Sequence, residues 1–430
     1  MLGFKASSTG RTAALGLAAE GAPAAAPAAA AAGEATGEAA WAGAVRIRCF
    51  DACEPLRERW EWLEARSDGY AFQSVFWMAA LLDTIGRDPS VRPVITLVTD
   101  ADGKGGEAPA LILPLMLRRT HGVATLRFLD FGVTDYNAPL IRADVARRLS
   151  RGGFPDLWRR ILAAIGAAAG PVDVVRLEKM PERIGGLPNP LLQLPSSPQD
   201  MSYQAPLNGG YDDFLKRRSH GLMADSRAKQ RRLSRQGAVE FRIVRDPAEA
   251  RPLVEAMIAQ KSRRYRDTGA EDIFRNPACA AFYHALAADC GEGGRGHVCA
   301  LTVDGEPVAV HVGMVAGDRF YWLMPAFDGD RFARFSPGRL LLLNLIRWAC
   351  DRKLAVFDFT IGGERYKLDW TEGTMALHAH GSALTARGRL HACGFTLCVN
   401  AKTALRTRHP DAFLALKSLQ ARLLRRPVAE

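Results

Sequence analysis

The chain has 430 residues, of which 48% are hydrophobic, and a formal net charge of +11. This length exceeds one ordinary domain, and the apolar content can fill about two cores. The positive charge favours anionic partners such as phosphates, nucleotides or an anionic membrane surface, but it excludes no fold. No run approaches the roughly 18 uncharged apolar residues of a spanning helix, so the sequence predicts a soluble, cytoplasmic protein.

The eight cysteines, at 49, 53, 279, 290, 299, 350, 393 and 398, form no CxxC pair and stand at no zinc-ligand spacing. They predict reduced, mostly buried thiols and no metal site. Residues 1–43 are rich in Ala, Gly and Pro, which predicts a disordered segment. A signal peptide is disfavoured there because no continuous region of large apolar residues follows Lys5 and Arg11. Residues 391–430 predict a basic helical tail.

A first unit is predicted over residues 44–200, where apolar residues alternate at strand and helix periods. Its predicted elements are a strand at 45–48, helices at 55–66 and 72–85, a hairpin of 91–99 and 108–117, strands at 126–131 and 138–141, a helix at 157–168 and a strand at 172–177. The segment 185–208 is dense in Pro, Ser, Gly and Asn, which indicates a connector.

A second unit is predicted over residues 201–390, beginning with a basic helical region at 212–236. There follow a strand at 239–244, helices at 247–266 and 277–289, strands at 298–303, 308–315 and 320–324, a helix at 337–352, a strand at 355–359 and a closing hairpin of 377–380 and 384–385. The two units share an order of elements, which favours a tandem duplication. The predicted fold class is α/β (α+β), with mixed central sheets flanked by helices.

Ser336-Pro337-Gly338 is the sequence most suggestive of a binding site. Pro337 suits a first helical turn, and Gly338 has no side chain to obstruct an approaching phosphate. The unpaired N–H groups of a helix start attract anions, and Arg331, Arg334 and Arg339 are neighbours in the sequence. The alternative is that these residues merely begin a helix. HExxH, GxSxG and P-loop motifs are absent from the sequence.

Four short motifs together resemble the GNAT acyltransferase superfamily, and more closely its CelD-type branch associated with cellulose and exopolysaccharide synthesis. They are Asp304-Gly305-Glu306-Pro307-Val308-Ala309, Ser336-Pro337-Gly338, Phe357-Asp358-Phe359 with Gly362, and Tyr366-Lys367 with Trp370. In this superfamily three antiparallel strands lead to a helix whose N-terminus binds the pyrophosphate of acyl-coenzyme A. The related Fem-type peptidyltransferases carry two such units in tandem.

The resemblance implies roles for individual residues. Ser336, Pro337, Gly338, Arg339 and Arg334 would hold acetyl-coenzyme A or another acyl-coenzyme A, and strand 308–315 would be splayed and contact its thioester and pantetheine arm. Tyr366 matches, approximately, the tyrosine that protonates the leaving thiolate in many relatives. His311, Asp358 and Glu364 are further acid or base candidates, while Lys367 and Glu364 would meet the acceptor. A core histidine and a structural ion pair are the alternatives for His311 and Asp358.

The predicted function is acyl transfer to an amine or hydroxyl of a sugar, a polysaccharide precursor or a peptide. The basic region, with eight positive charges between 216 and 235, could instead serve an aminoacyl-tRNA, as in a Fem-type enzyme, or contact a membrane-bound polysaccharide machine. It lacks aromatic residues for base stacking, which disfavours nucleic acid. A non-catalytic accessory protein of exopolysaccharide synthesis is the other alternative.

Overall fold

The computed structural model of the chain describes residues 41, 44–102 and 105–394. Apart from residues 41 and 391–394, the predicted disordered segment and basic helical tail lie outside this part. The strands are β1 Arg46–Phe50, β2 Val91–Ala101, β3 Glu107–Thr120, β4 Val123–Phe128, β5 Leu140–Ile141, β6 Val174–Pro181, β7 Arg183–Ile184, β8 Leu187–Pro188, β9 Ser196–Pro206, β10 Val239–Val244, β11 Gly296–Val303, β12 Glu306–Ala316, β13 Arg319–Phe327, β14 Val356–Ile361 and β15 Gly373–Ala383.

The α-helices flank these strands. They are α1 Arg57–Glu64, α2 Val75–Asp83, α3 Ala143–Leu149, α4 Phe154–Ala169, α5 Gly210–Lys216, α6 His220–Leu233, α7 Pro247–Thr268, α8 Pro277–Ala287 and α9 Pro337–Asp351. The predicted basic helical region is two helices, because the chain turns before Ser219, whose side chain accepts the Leu222 N–H as a helix cap. Among the described residues, no helix combines the length and hydropathy needed to cross a bilayer.

Thirteen strands form one mixed sheet in the order β1-β2-β3-β4-β6-β15-β9-β14-β13-β12-β11-β10, with β5 paired to β3. All neighbours in this sheet are antiparallel except two pairs, β4 with β6 and β13 with β14. The order β1-α1-α2-β2-β3-β4-α4-β6 in the first half matches β10-α7-α8-β11-β12-β13-α9-β14 in the second. The predicted mixed α/β architecture of two tandem units is therefore confirmed.

The centre of the sheet differs from the prediction. Residues 196–206, expected to be part of a connector, form the eleven-residue strand β9 between β14 and β15. The expected closing hairpin is a single strand, β15, which lies between β6 of the first unit and β9. Tertiary pairing overrides the turn-like composition of both segments. The domain limit near residue 200 falls inside β9, and the domain limits as a whole stay a prediction.

Three apolar clusters hold the layers together. One lies on the face where α1 and α2 of the first unit meet α7 and α8 of the second, and there Trp77 and Phe282 meet edge to face with ring centroids 5.0 Å apart. The second lies beneath α4, and the third beneath α9 with α5 and α6. Because helices cover both faces of the second unit, every residue of β11 is buried.

Candidate functional site

The two parallel strands of the second unit separate into an opening. β13 and β14 are paired only at Arg319–Val356, Phe320–Phe357 and Tyr321–Asp358, after which β13 continues to Phe327 and β14 to Ile361. On its other edge β13 remains paired with β12 as far as Phe327. Beyond the last pair the facing edges of the two diverging strands are not paired with each other, and such edges can hydrogen-bond to an extended ligand.

The splayed strand is not the one expected. The resemblance placed the splay at 308–315, but this stretch of β12 is paired with β11 on one side and β13 on the other. Its backbone is thus committed to the sheet, and β13 takes the position expected of it. The error has a physical source: β12 and β13 are both apolar strands before a helix, and the sequence does not indicate which one ends the antiparallel run.

The start of α9 lies at the end of this opening. Ser336 adopts a left-handed conformation with φ of 52°, Pro337 is the first helical residue, and the side chain of Ser336 makes no capping hydrogen bond. A Cβ added to Gly338 would lie 3.3 Å from Cδ1 of Phe327, the last residue of β13. The helix start and the strand end are therefore in close contact, and a side chain at position 338 would press against the Phe327 ring.

Basic side chains surround this helix start. Lys229 of α6 donates from Nζ to the carbonyl oxygen of Arg334 at 2.6 Å, and the guanidinium of Arg334 lies 4.7 Å from the ring centroid of Phe335. Arg339 forms an ion pair with Asp225, also on α6. The structure thus brings the basic helix beside the predicted anion site, although the charge of Arg339 is already paired.

Tyr366 follows β14 and reaches the neighbouring β13. As a residue it is 38% exposed, but its hydroxyl oxygen accepts a hydrogen bond from Nε1 of Trp322, at 3.1 Å, and Trp322 is only 4% exposed. The donor is the indole, so the hydroxyl hydrogen of Tyr366 stays available for another acceptor. Burial raises the pKa of Tyr366 above its ordinary value.

The turn that carries Tyr366 is fixed by its neighbour. Lys367 is 3% exposed, and its Nζ donates to the carbonyl oxygen of Ile361 at 2.8 Å and pairs with Glu364 at 3.0 Å. Glu364 keeps 52% of its side chain exposed. Of the two residues predicted to meet the acceptor, Glu364 is thus accessible at the rim, while Lys367 is occupied in holding the turn.

His311 lies in the core beneath α9, which was one of its two predicted alternatives. It is fully buried, its ring stacks on Trp322 with centroids 4.2 Å apart, and its Nε2 accepts the Leu323 N–H at 3.1 Å. Burial holds the pKa of this ring well below its usual value. His311 supports the indole that contacts Tyr366, and it faces no opening.

His297, Cys299 and His311 form a buried group whose ligand-type atoms all lie within 4.8 Å of one another. The sequence did not indicate this group, because its members are spread over β11 and β12. With Nε2 of His311 accepting the Leu323 amide, the neutral ring carries its proton on Nδ1, which therefore offers no lone pair to a metal. As arranged, the group does not fit a three-ligand metal site.

Asp358 is fully buried where β13 and β14 separate. Its Oδ1 accepts the Tyr136 hydroxyl at 2.6 Å and the Thr360 N–H at 2.8 Å, and its Oδ2 accepts Arg319 at 2.7 Å. Burial raises the pKa of Asp358, while Arg319 and the two other donors oppose the shift. The contacts match those of a structural ion pair with an additional tyrosine donor from the other unit.

The first unit contains a corresponding strand pair, but it is filled. β4 and β6 pair only at Thr125–Val174 and Leu126–Val175. Beyond these pairs the chain after β4 occupies the space: the Asn137 N–H donates to the carbonyl of Lys179 at 3.0 Å, and Nζ of Lys179 donates to the carbonyl of Thr134 at 2.7 Å. This segment also carries Tyr136, the partner of Asp358.

Sequence reasoning missed Trp322, Arg319 and Tyr136. Trp322 is an alternate residue of an apolar strand, so in the sequence it looks like an ordinary core residue. Tyr136 stands 222 positions from Asp358, and no local pattern connects residues so far apart. A close run of Asp, Tyr and Asn after a strand is the one signal that could have drawn attention to it.

Three antiparallel strands, a splayed parallel strand and the intervening helix with its open N-terminus define the acyltransferase fold of the GNAT type. Residues 216–368 match the family model described as an acetyltransferase (GNAT) domain. The second unit is thus similar to this family in sequence as well as in fold, over the part of the chain that holds the opening. Among curated proteins no match is found.

Solved structures with the same fold share little sequence with this chain. A conserved protein of unknown function from Bacteroides thetaiotaomicron VPI-5482 has a TM-score of 0.50 at 11% identity, covering 79% of this chain and 100% of its own. FemX has a TM-score of 0.50 at 12% identity, covering 74% of this chain and 95% of its own. At these identities the likeness establishes a shared fold across both units.

Proposed function

We propose that this protein transfers an acyl group, acetyl being the simplest, from acyl-coenzyme A to an amine or hydroxyl acceptor. The observation that carries the proposal is the opening between β13 and β14, which ends at the start of α9. An extended arm with amide groups can hydrogen-bond to diverging strand edges, and a pyrophosphate suits a helix N-terminus. Both features occur in the unit that matches the GNAT family model.

In the proposed complex the start of α9, at Ser336, Pro337 and Gly338, receives the pyrophosphate. Arg334 lies beside it and is the basic side chain best placed to add charge, since Arg339 is paired with Asp225. The arm of the carrier then lies along β13 toward Trp322 and Tyr366. This course brings the thioester to the Tyr366 hydroxyl, the group in the opening with a hydrogen to give.

The proposed reaction is direct transfer. The acceptor nitrogen or oxygen attacks the thioester carbonyl, the carbon–sulfur bond breaks, and Tyr366 donates its proton to the departing sulfur. The hydrogen of the Tyr366 hydroxyl, which its contact with Trp322 does not use, supports this role. Glu364, accessible at the rim, takes the proton that the acceptor loses. Asp358 is fully buried and bonded to Tyr136, Thr360 and Arg319, and it acts by holding β14.

For the acceptor we propose a sugar, a polysaccharide precursor or a peptide, in a cytoplasmic reaction. The resemblance to the CelD-type branch supports the saccharide classes. An exposed carboxylate at Glu364 suits an acceptor amine or a hydroxyl-rich surface, both of which donate hydrogen bonds. Peripheral association with a membrane polysaccharide machine is compatible with the net charge of +11.

Aminoacyl-tRNA is the second candidate carrier, and one observation favours it. Arg227, Arg231, Arg232 and Arg235 are exposed on or just after α6, which lies against the start of α9 through Lys229 and Asp225. This is more positive charge than the phosphates of coenzyme A need. The affinity of these arginines for a polyanion such as tRNA should fall steeply as the salt concentration rises, whereas the affinity for acetyl-coenzyme A should weaken only modestly.

The test is release of free thiol from acetyl-coenzyme A in the presence of amino sugars, polysaccharide fragments and peptides. With a competent acceptor, Tyr366→Phe should lower turnover by about 10²–10⁴-fold, the usual contribution of a general acid, with unchanged carrier affinity. Tyr265→Phe, on α7, serves as the matched control and should behave as the wild type.

Three outcomes would count against the proposal. Unchanged turnover in Tyr366→Phe would remove the assigned acid. Acyl transfer from aminoacyl-tRNA, without thiol release from acetyl-coenzyme A, would establish the second candidate. Absence of binding to either carrier would leave the accessory role, in which the fold is kept without turnover.

A further inference from the structure

Tyr136 belongs to the first unit but contacts the opening of the second. It is fully buried, and its hydroxyl donates to Oδ1 of Asp358 at 2.6 Å. Its ring also packs against Phe72 and Tyr70 of the first unit, with centroids 5.4 and 4.8 Å away. The tyrosine is therefore fixed by its own unit and presents its hydroxyl to the other.

Asp358 links the Tyr136 hydroxyl to the backbone of β14. The Oδ1 atom that accepts the tyrosine hydroxyl also accepts the Thr360 N–H at 2.8 Å. Thr360 has φ of 58°, and the register of β14 against β9 shifts between Asp358 and Thr360. A β-branched residue in this region is strained, and such strain persists only where surrounding contacts fix it. The carboxylate is one of those contacts.

The bulge at Thr360 leads directly to the turn with the proposed acid. The next residue, Ile361, accepts Nζ of Lys367 at 2.8 Å through its carbonyl oxygen. Lys367 neighbours Tyr366, whose hydroxyl meets Nε1 of Trp322 at 3.1 Å. An unbroken series of hydrogen bonds and backbone links therefore joins Tyr136 to Tyr366 across the two units.

We propose that Tyr136 is a positioning residue for acyl transfer: through Asp358 it holds the Thr360 bulge, and through that bulge it places the hydroxyl of Tyr366 in the opening. The inference rests on the proposed function of the second unit. It also assigns a role to the first unit, whose own gap between β4 and β6 is filled and which contributes a side chain to the second unit.

The experiment compares Tyr136→Phe, Tyr366→Phe and the double variant in the thiol-release assay. Loss of the Tyr136 hydroxyl should lower kcat by roughly three- to thirty-fold, the range of one coupling interaction, with KM for acetyl-coenzyme A unchanged. In the Tyr366→Phe background the same change should have little further effect, because the residue through which it acts is already gone.

Tyr321→Phe is the matched control. Tyr321 is also a buried tyrosine between the units, and its backbone pairs with that of Asp358, but its hydroxyl accepts the Ala71 N–H at 3.2 Å instead of donating to the carboxylate. Tyr321→Phe should lower the melting temperature about as much as Tyr136→Phe does. The effect of Tyr321→Phe on kcat should be the same whether position 366 is Tyr or Phe. If Tyr136→Phe and Tyr321→Phe deviate equally from additivity with Tyr366→Phe in their effects on kcat, Tyr136 contributes only packing and the proposal is overturned.

A rescue variant keeps the test decisive if Tyr136→Phe folds poorly. Glycine tolerates a positive φ, so Thr360→Gly relieves the strain that the carboxylate otherwise has to restrain. Adding Thr360→Gly to Tyr136→Phe should restore part of kcat, and a further loss would overturn the mechanism through the bulge.

The two proposals fail in different ways. If Tyr366→Phe lowers kcat but Tyr136→Phe is silent, or its effect is fully additive, Tyr136 has no positioning role and the proposed function stands. If Tyr366→Phe is itself without effect, the proposed acid is wrong, and the role of Tyr136 is overturned with it.

Discussion

The two units place a parallel strand pair beside a helix start, yet only one of them keeps an opening. In the first unit the chain after β4 turns back into the gap, where Asn137 donates through Nδ2 to Asp130 at 2.7 Å and Lys179 pairs with Asp130 at 3.0 Å. In the second unit the chain after β13 leads away to α9, and β13 and β14 diverge beyond the Tyr321–Asp358 pair.

The starts of α4 in the first unit and α9 in the second also differ in how well they could bind an anion. At the first, the Phe154 N–H donates to Oε1 of Gln193 at 3.1 Å, and Asp156 puts a negative charge in the first turn. At the second, Gly338 and Arg339 occupy the first turn and no acidic residue is present there. A helix N-terminus attracts anions only when its N–H groups are unpaired and the nearby charge is not negative.

This comparison shows how a duplicated unit divides its tasks. In the first gap Asp130, Asn137 and Lys179 bond to one another, whereas in the second the strand edges beyond Tyr321–Asp358 are not paired with each other. The same segment that closes the first gap supplies Tyr136 to the second. We therefore expect substitutions in the first gap, Tyr136 excepted, to change stability alone, whereas those in the second gap change function as well.

The largest expected effect belongs to Asp358→Ala. The change leaves Arg319 and the Tyr136 hydroxyl without their acceptor, and removing one member of a buried ion pair costs about 3–5 kcal/mol. Urea unfolding followed by tryptophan fluorescence measures the loss. Asp351→Ala, an exposed position on α9, should change the free energy of unfolding by less than about 0.5 kcal/mol. A loss below about 1 kcal/mol for Asp358→Ala would contradict the structural role of the pair.

A smaller effect is expected for Asp130→Asn in the first unit. The partly buried Lys179 keeps its hydrogen bond to the Thr134 carbonyl but loses the carboxylate with which it is paired, and the expected cost is about 1–3 kcal/mol. Affinity for acetyl-coenzyme A, measured by calorimetry in the same variant, should equal that of the wild type. A weakened affinity would mean that the filled gap takes part in carrier binding.

Much of this architecture could be predicted from the sequence because it depends on local pattern. The apolar strands 298–303 and 308–315, and the helix beginning at Pro337, have clear periods and boundaries, and the structure has β11, β12 and α9 there. The start of α9 could be recognised because Pro and Gly have conformational meanings that require no knowledge of the fold.

The rest depends on contacts between distant parts of the chain. β9 looked like part of a connector because its Ser and Pro residues are typical of turns, and its two strand neighbours make it a strand. A position on an apolar strand is compatible both with a histidine that acts as an acid or base and with a core histidine. The structure places His311 in the core, stacked on Trp322. Which strand diverges, and which tyrosine crosses between units, follow from the assembled sheet alone.

Calorimetric titration of acetyl-coenzyme A into the intact protein tests the central claim most directly. Because the gap between β4 and β6 is filled and the one between β13 and β14 is the proposed carrier site, we expect one binding site per chain. It also predicts that Gly338→Glu abolishes binding, because the new side chain brings negative charge and bulk to the start of α9. Asp156→Asn, at the helix start of the first unit, should leave affinity unchanged, and circular dichroism should show that both variants are folded. Two sites per chain, or undiminished binding in a folded Gly338→Glu variant, would contradict the assignment of the carrier to the second unit.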